Sequence, residues 1–165
     1  MEIPKENYLD TNMIWAWFGN MMKNIRKGES LKIPDILKFI SSKAELNTFT
    51  TNLTKAEIFR YLKSEWGCDK GFSEDLWNKF LVSFNTSYIE FDVIEIDELI
   101  EICSKVATKK KTLVNLMHLQ LAKKNNLWFL TGEENLKEKY KEYYDKVLTY
   151  EDLRGLFAKP NSHSS

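Results

Sequence analysis

Asn7-Tyr8-Leu9-Asp10-Thr11-Asn12 is the segment on which the prediction of both fold and site depends. Its apolar centre predicts a short buried strand that ends on an acid, and the apolar run 13–18 predicts a helix directly afterwards. Open α/β sheets place their binding sites at the carboxyl ends of strands, which is where Asp10 falls. An acid before an apolar helix is also typical of a helix N-cap, so both interpretations of Asp10 stand.

Composition places the chain among folded globular proteins. Its 165 residues are 43% hydrophobic and 29% charged, and a chain of this length is typical of one domain. Lys and Arg together equal Asp and Glu together, at 24 each, which excludes a general basic attraction to nucleic acid. Any such binding would need a local patch. We expect a single domain over residues 1–158 and a mobile polar tail over 159–165.

The cysteines and the N-terminal residues bear on the cellular location of the protein. Cys68 and Cys103 are far apart and show no metal-ligand spacing, so we expect reduced thiols in a cytosolic protein. The first residues lack the apolar run of a signal peptide, and no segment is long enough to span a bilayer. The expectation is a cytoplasmic protein without membrane contact.

Strand and helix signals alternate along the chain. Further strands are predicted at 48–52, 88–91 and 127–130, with an edge strand at 147–149, and helices are predicted between them, including 74–84, 94–107, 136–144 and 150–157. This alternation predicts a parallel sheet with helices on both faces. The expected fold class is therefore a three-layer α/β/α domain with a central, mostly parallel sheet of four to five strands.

Helical spacing predicts which side chains are buried in two of these helices. In the first helix Trp15, Phe18 and Met22 are expected to face the core. Trp17 falls off that stripe and is expected to pack within the protein, with cover of an edge or a partner surface as the alternative. In the helix 94–107 the predicted inner face is formed by Ile96, Leu99, Ile100 and Cys103.

Local signals predict how several helices begin. Thr54 and Glu57 form a capping-box pattern, and Ser73 and Thr112 are placed to cap the helices that follow them. The capping box is the structural interpretation of Glu57, which also puts a carboxylate in the first helical turn after a strand. Residues 109–111, three lysines, are expected to form a solvated loop.

Acids recur after the predicted strands. Asp10, Glu57 and Glu133 each follow a strand within a few residues, and Asn115 and His118 lie on the helix that precedes the strand before Glu133. Because parallel strands end at one edge of the sheet, four chain segments direct polar groups to that edge. We expect His118 to be a packed core histidine rather than a ligand, since hard cations prefer oxygen.

The order and separation of three motifs resemble the PIN domain, the nuclease fold of VapC-type toxins and related ribonucleases. The motifs are Tyr8-Leu9-Asp10-Thr11-Asn12, then Asn52-Leu53-Thr54-Lys55-Ala56-Glu57-Ile58, and finally Leu116-Met117-His118-Leu119-Gln120-Leu121-Ala122 followed by Leu130-Thr131-Gly132-Glu133-Glu134-Asn135-Leu136. Each motif is short, and together they cover nearly the whole chain.

The resemblance implies a metal-dependent ribonuclease. Asp10, Glu57, Glu133 and Asn115 would be catalytic residues and ligands of Mg²⁺ or Mn²⁺, directly or through water, and hard cations of this kind take oxygen ligands. Thr11, Asn12 and Thr131 would contact substrate. The implied partners are RNA, an antitoxin protein and a second copy of the chain, with the aromatic first helix as a dimer surface.

Two departures from the family pattern keep a second function open. The family usually has an aspartate where this chain has Asn115, and another after Thr-Gly, where this chain has Glu133. A unit charge about 4 Å from a cation is worth roughly 1 to 4 kcal/mol, so the loss at Asn115 would weaken metal binding about tenfold to a thousandfold. Asn115 can still ligate through its carbonyl oxygen, or serve the free backbone N–H groups of the first helical turn. The alternative is a catalytically weakened or inactive PIN domain that binds RNA or protein.

Overall fold

A computed structural model describes residues 3–90, 95–105 and 110–157, and within them strands and helices alternate as the sequence predicts. The elements, in chain order, are β1 (Glu6–Leu9), α1 (Thr11–Lys27), α2 (Asp35–Ser41), β2 (Asn47–Thr50), α3 (Asn52–Trp66), α4 (Lys70–Ser83), β3 (Thr86–Tyr88), α5 (Ile96–Lys105), α6 (Lys110–Lys124), β4 (Trp128–Leu130), α7 (Glu134–Lys139), β5 (Val147–Leu148) and α8 (Tyr150–Phe157). No helix in these ranges is both long and apolar enough to cross a membrane.

The strands form one sheet in the order β3-β2-β1-β4-β5, and every described pair is parallel. β1 lies at the centre, where Asn7 pairs with Thr48 on one side and Trp128 on the other. The chain moves outward from β1 through β2 and β3, then returns to add β4 and β5 on the opposite side. The predicted fold class is confirmed, and the direction of winding reverses between β1 and β4.

Successive residues along the strands contribute their side chains alternately to two separate hydrophobic cores. Tyr8 and Phe129 point to one face, where their rings stack at 5.7 Å, and belong to the core covered by α5, α6 and α7. Leu9 and Leu130 point to the other face and join the aromatic core built by α1, α2, α3, α4 and α8. This two-residue period is the ordinary consequence of the pleat of a strand. The face that a residue occupies therefore decides which helices it contacts.

Helix α1 corrects the prediction for Trp15. Trp15 is 52% exposed although it was expected to face the core, whereas Trp17 is 1% exposed and packs inside the protein. The buried stripe includes Met13 and Trp17, which lie one turn apart, and Ile14 and Phe18, which also lie one turn apart. Trp15 lies outside this stripe, so its position leaves the indole at the surface.

Three predicted helix caps are wrong. α3 begins at Asn52 with Thr51 as its N-cap, so Thr54 lies inside the first turn and forms no capping box with Glu57. Helix α4 begins earlier than expected, with Asp69 at the N-cap and Ser73 buried inside the helix. Thr112 is likewise inside α6, which already begins at Lys110.

Several boundaries also shift. β3 lies at 86–88 rather than 88–91, α7 ends at Lys139, and Lys110 and Lys111 are helical rather than part of a loop. On α5, Ile96 and Ile100 are each 61% exposed, whereas Leu99 and Ile102 are buried. Lys109, the tail 159–165 and parts of the predicted segments 88–91 and 94–107 lie outside the described residues.

Candidate active site

A cleft of about 550 Å³ opens at the carboxyl ends of β1 and β4. It is lined by six of the seven residues that the sequence singles out: Asp10, Thr11, Asn12, Glu57, Asn115 and Glu133. The cleft lies where the strand order reverses, which is the position that ligands occupy in doubly wound α/β folds. The fold therefore brings the predicted site residues together.

Asp10 occupies the N-cap position of α1 without acting as a cap. It is 2% exposed, and its side chain accepts no hydrogen bond from the first turn of the helix. Instead its Oδ2 accepts a hydrogen bond of 2.7 Å from the Thr131 hydroxyl. Burial raises the pKa of Asp10 above its ordinary value, and His118 and the Thr131 hydrogen bond, which act in the opposite direction, offset only part of this effect. Asp10 makes no ion pair within the described residues, so its charge is only partly compensated.

The loop after β4 is fixed to the start of α1. Asn12 Oδ1 accepts a hydrogen bond of 2.7 Å from the Gly132 backbone, and Asn12 Nδ2 donates to Thr131 Oγ1 at 3.3 Å. A Cβ at residue 132 would lie 2.6 Å from Tyr150 Cε2 and 3.2 Å from Asn12 Oδ1, so only glycine fits. Thr131 is fully buried, and its hydroxyl reaches Asp10 and Asn12 from behind the cleft rather than from its open side.

Glu57 is held by two donors that share one of its oxygens. His118 Nε2 lies 2.8 Å from Glu57 Oε2, and the Thr11 hydroxyl donates to the same oxygen. Burial acts to raise the pKa of Glu57, but the hydrogen bonds from His118 and Thr11 outweigh it and hold the pKa below its ordinary value. Glu57 is therefore ionised and oriented, in contrast to a residue that merely caps a helix.

A buried polar chain supports Glu57 from inside the second core. His118 is 1% exposed, and its Nδ1 lies 2.6 Å from the Tyr8 hydroxyl, which also lies within 3.0 Å of Thr51 Oγ1 and 3.3 Å of Thr54 Oγ1. A carboxylate only accepts, so Nε2 carries the hydrogen, and in the neutral ring Nδ1 accepts from Tyr8. His118 is thus the core histidine that the sequence predicts, and it also positions a site acid.

Glu133 and Asn115 form the third side of the cleft. Glu133 occupies the N-cap position of α7 without a side-chain capping bond, and its Oε2 accepts from Asn115 Nδ2 at 2.7 Å. The Glu133 backbone N–H donates to Thr131 Oγ1 at 3.1 Å, which ties its position to that of Asp10. Asn115 presents its donor to Glu133 and leaves its amide oxygen for another contact.

The three carboxylates share one arrangement. Asp10, Glu57 and Glu133 each use a single oxygen, Oδ2 or Oε2, for a protein donor, and the other oxygen makes no hydrogen bond to any described residue. Oxygen atoms of this kind suit Mg²⁺ or Mn²⁺. Within residues 3–90, 95–105 and 110–157, however, no three Asp, Glu, His or Cys side chains form a ready-made metal site. The three carboxylates therefore line one cleft without forming a preformed cation site among the described residues.

Four further residues shape the cleft. Trp15 and Arg60 line it directly, and Tyr8 and His118 support it from within the protein. Spacing along a helix places Arg60 one turn beyond Glu57, so the sequence contained a signal for this residue. The sequence indicated only that Tyr8 is a buried strand residue, because His118, the partner of its hydroxyl, is 110 residues away.

A scan of the sequence against protein-family models and a search of curated proteins both find no match.

Proposed function

We propose that the protein is a metal-dependent ribonuclease that hydrolyses phosphodiester bonds of RNA in the cleft formed by Asp10, Glu57, Glu133 and Asn115. The observation that supports this proposal most strongly is the set of three carboxylates in one cleft, each with one oxygen free of protein hydrogen bonds. A buried carboxylate such as Asp10 is costly unless it is paired, and a cation in the cleft would supply the pairing.

Oxygen donors for Mg²⁺ or Mn²⁺ come from the same four residues, directly or through water. A bound cation would supply charge for the phosphate and a lowered pKa for an attacking water. The chain's own part is to fix the carboxylates: Thr131 holds Asp10, and His118 and Thr11 hold Glu57. The N-terminus of α1 begins at Thr11, which lines the cleft, and a helix N-terminus favours an anionic phosphate.

Cleavage of RNA tests this proposal. We expect the protein to cut a mixed RNA substrate in the presence of Mn²⁺ or Mg²⁺ and to stop when a chelator is added. Asp10→Asn should abolish cleavage, whereas Asp69→Asn, at the exposed start of α4, should leave it unchanged. Cleavage that survives Asp10→Asn would exclude this cleft as the active site.

One observation favours a second candidate, a binding module without turnover. The Asn115 amide satisfies one oxygen of Glu133 without a cation, where an aspartate would repel it. The two candidates differ in metal affinity: a protein that binds no Mn²⁺ at millimolar concentration belongs to the second class. If Asn115 contacts the ion, Asn115→Asp should raise the affinity for Mn²⁺ about tenfold or more, because it restores a charge beside the ion.

The resemblance to the PIN domain of VapC-type toxins also implies protein partners. A toxin of this type would have an antitoxin protein and pair as a homodimer. Trp17 and Phe18 are buried within the protein and are not available for a dimer surface, whereas Trp15 and Ile25 of α1 remain exposed. Sedimentation of the purified protein would measure its oligomeric state, and a monomer at micromolar concentration would remove the homodimer from the proposal.

A further inference from the structure

Trp15 and Arg60 extend the cleft away from the carboxylates. Trp15 lies one turn beyond Thr11 on α1, and Arg60 lies one turn beyond Glu57 on α3, so both pairs share a helix face. The two helices pack against each other, and both outer residues line the same cleft as the acids. An aromatic ring and a cation therefore lie together on the walls next to the carboxylates.

The indole of Trp15 is exposed, but one side of it is supported. Its ring contacts the ring of Tyr61 at a centroid distance of 5.4 Å and an angle of 51°. Tyr61 approaches α1 closely because Gly19 has no side chain: a Cβ there would lie 2.9 Å from the Tyr61 hydroxyl. Trp66 Nε1 donates to that hydroxyl at 3.3 Å and fixes the ring further. Trp15 thus has a supported ring with half of its surface open to a ligand.

Arg60 is the basic counterpart of this ring. It is the one Lys or Arg among the described residues that line the cleft, and its charge helps to lower the pKa of Glu57 without forming an ion pair with it. Lys55, one turn earlier on α3, is by contrast paired with Glu74 at 2.6 Å. A guanidinium has planar donors that match the oxygens of a phosphate. The planar donors of Arg60, which no described acid holds in an ion pair, can therefore contact an anionic group of a ligand.

We infer that Trp15 and Arg60 form a subsite for one unpaired nucleotide of the RNA, with its base stacked on the Trp15 ring and a phosphate at Arg60. This inference rests on the proposed function for the choice of RNA. A base is accessible to stacking only when it is unpaired, because bases inside a duplex already stack on one another. Stacking tolerates any base, so the subsite selects single-stranded RNA rather than a particular sequence.

Binding of a fluorescently labelled single-stranded oligoribonucleotide tests the inference without any need for turnover. The measurement is anisotropy with Mg²⁺ present, in the Asp10→Asn protein, which retains Trp15 and Arg60 and is not expected to cut the RNA. Adding Trp15→Leu should weaken binding about tenfold or more, since stacking contributes about 1–3 kcal/mol per base. Trp15→Phe, which keeps an aromatic ring, should retain most of the affinity.

Arg60→Gln should weaken binding and reduce the slope of log Kd against log salt by about one, as expected for one lost phosphate contact. Matched controls are Ile25→Ala and Arg26→Gln, two exposed positions on α1 that do not line the cleft, and neither should change the affinity. A fully paired RNA duplex should bind equally well with and without Trp15→Leu. Circular dichroism of each variant verifies that the helices are intact.

The outcomes separate this inference from the proposed function. Unchanged affinity in Trp15→Leu, or an Asp10→Asn protein that binds no RNA, overturns the subsite. Affinity that depends on Trp15, found in a protein that never cleaves RNA, supports the subsite and overturns the nuclease. Equal losses in Trp15→Leu and Trp15→Phe would show that the ring is not used for stacking, and would also overturn the subsite.

Discussion

The starts of α1 and α4 each carry an aspartate at the N-cap, yet the two residues behave differently. Asp69 is exposed at the start of α4 and accepts a hydrogen bond of 2.8 Å from the Phe72 backbone, as a cap should. Asp10 is buried at the start of α1 and forms no such bond. An acid that caps is satisfied locally, whereas Asp10 is held by a threonine from a distant loop. The contrast shows that the Asp10 side chain does not stabilise its helix as a cap.

Gly132→Ala would break the connection that holds the α1 start, and it should have the largest effect. The new methyl group would meet the Tyr150 ring and the Asn12 amide, so we expect a loss of about 2–3 kcal/mol in the free energy of unfolding. Gly155→Ala is the control, because open space surrounds that position within α8, and it should raise stability by up to about 1 kcal/mol. Urea unfolding measures both, and equal effects would contradict the close packing at Gly132.

Tyr8→Phe tests the chain of hydrogen bonds beneath Glu57. Loss of the hydroxyl leaves His118 Nδ1 without its buried partner, which should cost about 1–2 kcal/mol of unfolding free energy. Tyr140→Phe is a matched control, because the Tyr140 hydroxyl is buried without a hydrogen-bond partner among the described residues. That control should be neutral or stabilising. A Tyr8→Phe protein as stable as the Tyr140→Phe protein would show that the chain contributes nothing.

Much of this site follows from sequence because it depends on strand ends. A short apolar run followed by an acid was enough to place Asp10 and Glu133 at one edge of the sheet. The support of Glu57 by Tyr8 and His118 was not predictable, since it joins residues 61 and 110 positions apart in the chain. Helical spacing also misassigned Trp15, because two overlapping apolar stripes on α1 each include large side chains.

Asp69→Ala tests whether Asp69 stabilises α4 as a helix cap. Removal of a capping side chain typically costs about 1 kcal/mol, so α4 should lose that amount of stability. Asp69→Asn, which keeps an accepting oxygen, should restore most of it. The measurement is the free energy of unfolding in urea at neutral pH, and an unaffected Asp69→Ala protein would remove the contrast with Asp10.

Asp10→Asn should raise the free energy of unfolding, in contrast to the losses expected for Gly132→Ala, Tyr8→Phe and Asp69→Ala. Burial raises the pKa of Asp10, so the folded protein binds its proton more tightly than the unfolded chain does, and ionisation lowers stability as pH rises through the folded pKa. Without metal, we expect the variant to be more stable than the wild-type protein at pH 7. The gain should vanish below about pH 4, where the carboxyl is protonated in both states. A loss of stability at pH 7 would show that Asp10 is a structural acid.

Calorimetric titration with Mn²⁺ tests the central claim that the three carboxylates hold a hard divalent cation. The account predicts saturable binding to the wild-type protein at millimolar concentration or below, weakened about tenfold or more in Asp10→Asn and unchanged in Asp69→Ala. Absence of binding at these concentrations, or equal affinity in the wild-type protein and Asp10→Asn, would contradict it.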